Sequence, residues 1–188
     1  MNPFTPFGAR RRNPSDASKL YGAIVAQTRL PVFYQRFGVP DTLEGRFLVL
    51  SLHLFVAHHR LKAEGERASG LAQDLADRFT ADMETVLREI GIGDLSIPKK
   101  VRGVAAAGAS LLESLERAVG SGDDAVVAVL AGTLPPDQRP NEASSLRLAH
   151  YVRDAERALE AESLAALAAG DVRFPARETS ELGKDEDD

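Results

Sequence analysis

The stretch Phe47-Leu48-Val49-Leu50-Ser51-Leu52-His53-Leu54-Phe55-Val56 constrains this chain more than any other. It sits inside a segment opened by Asp41-Thr42-Leu43-Glu44, where an acceptor at the N-cap and a glutamate three residues on make a capping-box-like start, with Asp41 in the place of the usual Ser or Thr. The helix so opened should run from about Thr42 to Lys62, roughly 30 Å at the standard rise. Its middle is apolar on nearly every side. A helix of that kind has to be covered by neighbours on several faces, which makes it the centre of the protein.

The other segments read as the helices that cover it. Ser15 or Asp16 caps a helix to about Arg29 with Leu20, Ile24 and Val25 on one face. Pro31 opens a short aromatic segment, Val32 to Phe37, closed by Gly38, and Val39-Pro40 is an extended step. From about Ala68 to Ile90, Leu71, Leu75, Phe79, Met83, Val86, Leu87 and Ile90 recur at helical steps, and Gly91 supplies a C-cap. Ser96 and Pro98 start a further helix that Gly120 stops. Val126 to Leu130 fits either a short helix begun by Asp123-Asp124 or a strand. A last helix is expected from about Glu142 to Ala169, ending at Gly170, with Phe174 as an anchor beyond it. No alternation of strands and helices is present, so the fold class is all-α. The expected organisation is a flexible basic arm over 1–14, one compact multi-helix domain over 15–175, and an acidic disordered tail over 176–188.

Chemistry-bearing patterns are sparse. With no cysteine in 188 residues, disulfides, zinc-thiolate sites and cysteine nucleophiles are excluded, and a reducing compartment fits. The histidines His53, His58 and His59 lack the four-residue spacing that sets two rings on one helical face for a metal. Gly91-Ile92-Gly93 follows a helix instead of a strand and lacks a third glycine, so it reads as a cap and not a dinucleotide loop. No nucleophile elbow is present. These residues ask for no catalytic group, metal or cofactor.

Charge narrows the partners. The formal net charge is −5, yet residues 1–100 carry +3 and residues 101–188 carry −8. An acidic chain is poorly suited to neutralising phosphates, so specific nucleic-acid recognition is not expected. The basic front half leaves contact with an anionic surface open, and Arg10-Arg11-Arg12 with Phe4 and Phe7 is its first candidate for a membrane-surface adaptor. No apolar segment is long enough to span a bilayer. The expected location is cytoplasmic, or peripheral at the inner face of a membrane.

Residues 21–47 hold Tyr21, Phe33, Tyr34, Phe37 and Phe47, five of the chain's eleven Phe and Tyr residues, interleaved with Arg29, Arg36 and Arg46. Aromatics with arginine dominate protein–protein hot spots. Core plugs with helix-capping arginines would give the same composition, and the residues alone leave the two readings even.

At this stretch the sequence resembles the ubiquinol–cytochrome c chaperone family. The matching residues are Tyr21, Ile24-Val25-Ala26-Gln27, Arg29, Pro31, Phe33-Tyr34, Gly38 to Thr42, Gly45-Arg46-Phe47 and Leu52-His53. A second block is Leu87-Arg88-Glu89, Gly91, Gly93-Asp94-Leu95 and Pro98-Lys99. The resemblance implies an all-helical, non-enzymatic assembly factor for the cytochrome bc1 complex whose client is newly made cytochrome b or another subunit. Contact with the ribosome belongs to the same expectation, and contact with a membrane surface stays open beside it. A helical adaptor unrelated to bc1 assembly is the alternative. The docking set that follows is Tyr21, Arg29, Phe33, Tyr34, Arg36, Phe37, Asp41 and Arg46, bordering a groove for an apolar client segment with the arginines at its rim.

Overall fold

The computed structural model describes residues 14–175, all of whose regular structure is helical. The expected arm, apart from Pro14, and the expected acidic tail lie outside the described residues. The helices are α1 (Pro14–Thr28), α2 (Val32–Gln35), α3 (Leu43–Ala63), α4 (Glu66–Glu89), α5 (Ile97–Val119), α6 (Asp123–Thr133), α7 (Glu142–Glu160) and α8 (Leu164–Ala169). A 3-10 turn, Pro136–Gln138, joins α6 to α7.

As its composition demands, α3 runs through the middle, packed by α1, α4, α5 and α7. Every residue from Leu48 to Ala57 is buried. α6 lies across α5 and α7, and α8 packs against α1. The ambiguous Val126–Leu130 run is helical: Val126 and Leu130, one turn apart, are both buried, and Asp123 and Asp124 occupy the first turn where acids suit the helix dipole.

Two local expectations are corrected. The N-cap of α3 is Thr42, whose hydroxyl accepts from the Gly45 amide at 3.2 Å and donates to Gln138 Oε1 at 2.8 Å. Asp41, one residue earlier, is thereby left to pair with Arg46. The single helix expected from Glu142 to Ala169 is two. It breaks after Glu160, where Arg60 of α3 donates to the Leu159 and Glu162 carbonyls at 3.0 and 2.9 Å, and Ser163 caps α8 by accepting from the Ala166 amide. Gly170 then closes α8 in the left-handed conformation (φ +72°), and a Cβ there would lie 2.7 Å from the Lys19 carbonyl oxygen. Only glycine lets α8 approach α1 this closely.

Candidate docking groove

An open groove of about 1310 Å³ runs between the N-terminal end of α3 and the helices around it. Val25, Thr28 and Arg29 at the end of α1 form one edge, and Pro31, Tyr34 and Gln35 continue it. Leu43, Phe47 and Leu50 of α3 lie along the base. Met83, Val86, Leu87 and Ile90 of α4 make an apolar wall, and Gly103, Val104 and Ala107 of α5 with Val129 and Gly132 of α6 complete it. A helix about 10 Å across displaces roughly this volume over about ten residues. The groove is larger than the range of about 300–1000 Å³ usual for small-molecule sites, and it opens to solvent.

Several of its polar groups are tied to one another or to the backbone. The Tyr34 hydroxyl donates to the Thr28 carbonyl at 3.1 Å, and burial raises its pKa although the Arg46 guanidinium opposes the shift. Arg46 Nε donates to Asp41 Oδ1 at 2.7 Å, and that hydrogen bond holds the Asp41 carboxyl below its ordinary range. Arg29 is exposed and makes no ion pair among the described residues. Asp82, on the α4 wall, accepts from the Tyr21 hydroxyl at 2.8 Å.

The docking set expected from sequence therefore divides. Arg29, Tyr34, Asp41 and Arg46 line the groove. Tyr21, Phe33 and Phe37 do not: they are buried, at 3%, 0% and 6% exposure, and such side chains have almost no surface to offer a partner. Tyr21 ties α1 to α4 through Asp82, with Arg78 over its ring at 5.4 Å. Burial and the Asp82 hydrogen bond raise its pKa. Phe33 stacks with Phe37 at 5.7 Å and meets the edges of His53 and Tyr151 at 5.2 and 5.1 Å. Arg36 is exposed but lies outside the groove lining.

His53 is a core histidine. Its Nδ1 lies 2.7 Å from the Val49 carbonyl, which can only accept, so Nδ1 carries the proton and Nε2 accepts from the Tyr151 hydroxyl at 2.6 Å. Burial lowers its pKa to about 4. His58 and His59 diverge as neighbours on a helix must. His58 faces a smaller cavity of about 420 Å³ between α3, α4 and α5, while His59 lies between Glu116 and Glu156 at 3.4 and 3.9 Å.

Sequence reasoning missed the α4, α5 and α6 walls. Met83 to Ile90 carry the same periodicity as the buried Leu75 and Phe79, so spacing alone assigned all of them to the core. The available signal was the density of small residues in Gly103-Val104-Ala105-Ala106-Ala107-Gly108, a stretch of helix slim enough for another backbone to approach closely.

Comparison with known proteins agrees with this architecture. The model of the Ubiquinol-cytochrome C chaperone family matches residues 35–174. The curated Ubiquinol-cytochrome-c reductase complex assembly factor 1 of Xenopus laevis is 23% identical over 137 residues, covering 73% of this chain and 68% of that protein. The crystal structure of the Cbp3 homolog from Brucella abortus superposes with a TM-score of 0.76 at 36% identity, covering 87% of this chain and 91% of the other.

Proposed function

The chain belongs to the ubiquinol–cytochrome c chaperone family, a family of assembly factors and not of enzymes, and from that premise we propose that its groove holds an apolar helix of newly made cytochrome b. Membership makes it a chaperone for assembly of the ubiquinol–cytochrome c reductase complex; the client and the place where it binds are the proposal. One observation carries the reading: a groove of about 1310 Å³ lined mainly by apolar side chains, in which Asp82 is tied to Tyr21 and Asp41 to Arg46.

A membrane-protein helix made before its partners exposes apolar side chains at steps of three and four residues. Such a helix laid into a groove is read by anchors at i, i+3, i+4 and i+7. Met83, Val86, Leu87 and Ile90 present the same spacing from the wall. Gly103, Ala107 and Gly132 lack bulk, so a client backbone approaches closely there. Arg29 at the rim suits a carboxylate or a helix C-terminus flanking the apolar segment. Holding the segment this way keeps apolar surface from water until the complex accepts it.

The test is photocrosslinking in the native cell. A crosslinking amino acid at Leu87, in the wall, is expected to capture cytochrome b, and one at the exposed Arg157 of α7 is expected not to. Equal capture from both positions, or capture from Leu87 of proteins without membrane spans, would sink the proposal.

A further inference from the structure

We infer that the turn between α4 and α5 docks this protein on an anionic membrane surface, with Leu95 entering the bilayer and Lys99, Lys100 and Arg102 meeting the lipid headgroups. Exposure comes first. Leu95 is 101% exposed and Ile90 54%, and Ile92 between them is half-buried. Among the described residues the large exposed apolar side chains are these two, Leu43 and Leu146, so half of them fall within six residues of one turn. A single exposed leucine is ordinary; a fully exposed one beside the half-buried Ile92 and followed within seven residues by three cations marks a contact.

The turn is also built. The Ser96 amide donates to the Gly93 carbonyl at 2.8 Å and the Ile92 amide to the Leu87 carbonyl at 3.1 Å. Arg88 bridges Asp94 at 2.5 Å and Glu84 at 2.8 Å. Ile97, only 1% exposed, anchors the start of α5 in the protein two residues after Leu95. Leu95 is thus held outward by an ordered frame.

Charge selects the partner. α5 has no acid in its first turn; Lys99 and Lys100 stand there instead, at the end of a helix whose dipole disfavours cations. With Arg102 they are exposed and form no ion pair among the described residues. The acids of the turn are Glu89 and Asp94, of which Asp94 is engaged by Arg88. Cations placed against a helix dipole beside a protruding leucine match an anionic interface over an apolar interior, each Lys or Arg raising affinity about fivefold at low salt. Nucleic acid would use the cations and have no place for Leu95. The position is apt as well: Ile90 and Gly103 on either side of the turn line the groove, so docking here turns one end of the groove towards the bilayer. The inference does not depend on the client's identity.

The chain has no tryptophan, which supplies the experiment. Full-length Leu95→Trp is mixed with vesicles of phosphatidylcholine and phosphatidylglycerol, and with vesicles of phosphatidylcholine alone. The control is Ala161→Trp at the end of α7, beside Arg60, which also pairs with Glu64 just before α4; α4 is 24 residues, about 36 Å, long. Emission from position 95 is expected to shift to the blue on anionic vesicles and become shielded from an aqueous quencher, while position 161 stays water-like. Lys99→Gln/Lys100→Gln should weaken vesicle binding by about fivefold per charge at low salt, an effect that added salt erases. Leu87→Gln in the groove wall, which adds no charge beside the turn, should leave vesicle binding intact, which separates this inference from the client proposal. Three results would each overturn it: position 95 staying water-like, vesicle binding lost only in Arg10→Gln/Arg11→Gln/Arg12→Gln, or the lysine pair lowering binding to ribosomal RNA but not to vesicles.

Discussion

At the scale of single residues, His53 is where sequence, burial and chemistry meet most tightly. The ring is surrounded by Phe33, Tyr151 and Phe174, with centroids 5.2, 5.5 and 5.0 Å away, and both nitrogens are already engaged with neutral groups. Nothing there compensates a charge, so burial holds the folded pKa near 4 against 6.5 for the free side chain. The consequence has a definite sign. Well above pH 6.5 the ring is neutral in both folded and unfolded chains and contributes no pH dependence. Between 6.5 and about 4 the unfolded chain binds a proton that the folded one refuses, so stability falls as pH falls. The loss reaches about 3 kcal/mol at the bottom of that window. His58, whose pKa is also lowered by burial, adds in the same direction, and Glu156, raised by burial, opposes it. Urea unfolding at pH 7 and pH 5 reads this directly. His53→Phe is expected to be about 1–3 kcal/mol less stable at pH 7, because the Tyr151 hydroxyl loses its acceptor. It should also lose less stability than the natural chain on going to pH 5. An unchanged pH slope in that variant would refute the assignment.

Among the helices, the junction of the Val39–Asp41 loop with α3 shows how one small residue positions the groove. Gly45 in the first turn of α3 is buried, and a Cβ there would stand 2.0 Å from the Pro40 carbonyl oxygen. That contact is backbone, so it cannot rotate away. The loop can lie on α3 only because position 45 has no side chain, and that placement brings Asp41 within 2.7 Å of Arg46 at the rim. Gly45→Ala should therefore destabilise the protein by about 2 kcal/mol or more, even though alanine is the better helix former by about 1 kcal/mol. Gly22→Ala in α1, with nothing within 4 Å of the new Cβ, should show that propensity gain unopposed. Thermal unfolding of both variants decides it, since helix propensity alone would move them the same way. Elements of this kind differ in how well sequence announces them. α3 was legible because an all-round apolar helix has one place to go, and Gly170 because its left-handed turn follows an alanine-rich run. The break between α7 and α8 was not legible. The apolar pattern continues through it, and what ends α7 is Arg60, about a hundred residues earlier, taking the Leu159 and Glu162 carbonyls. Phe33 and Tyr34 are adjacent in an aromatic run, and only the packing of α2 decides that one enters the core while the other borders the groove.

For the molecule as a whole, the groove differs from a pocket in one element because six helices contribute to it: α1, α2, α3, α4, α5 and α6. Their residues are scattered from Val25 to Thr133, which is why no local motif marked the site as a unit. The same dispersion has a thermodynamic consequence. A ligand that spans so many elements binds only when all of them are in place, so its whole binding free energy is added to global stability. At a free concentration of one hundred times Kd, that amounts to about 2.7 kcal/mol. For a domain of this size such a gain raises Tm by about 5–10 °C. A synthetic peptide corresponding to an apolar helix of cytochrome b, kept soluble by acidic flanks, is expected to raise the Tm of the natural chain by that amount. Leu87→Glu should keep an unliganded Tm close to that of the natural chain, because Leu87 is only half-buried, and should gain little from the peptide. A peptide of the same composition with a central proline cannot lie in the groove as a continuous helix and should produce no shift. Equal stabilisation by the two peptides would mean that apolar content alone is recognised; the groove would then be a general hydrophobic surface, and helix shape would have no part in what it selects.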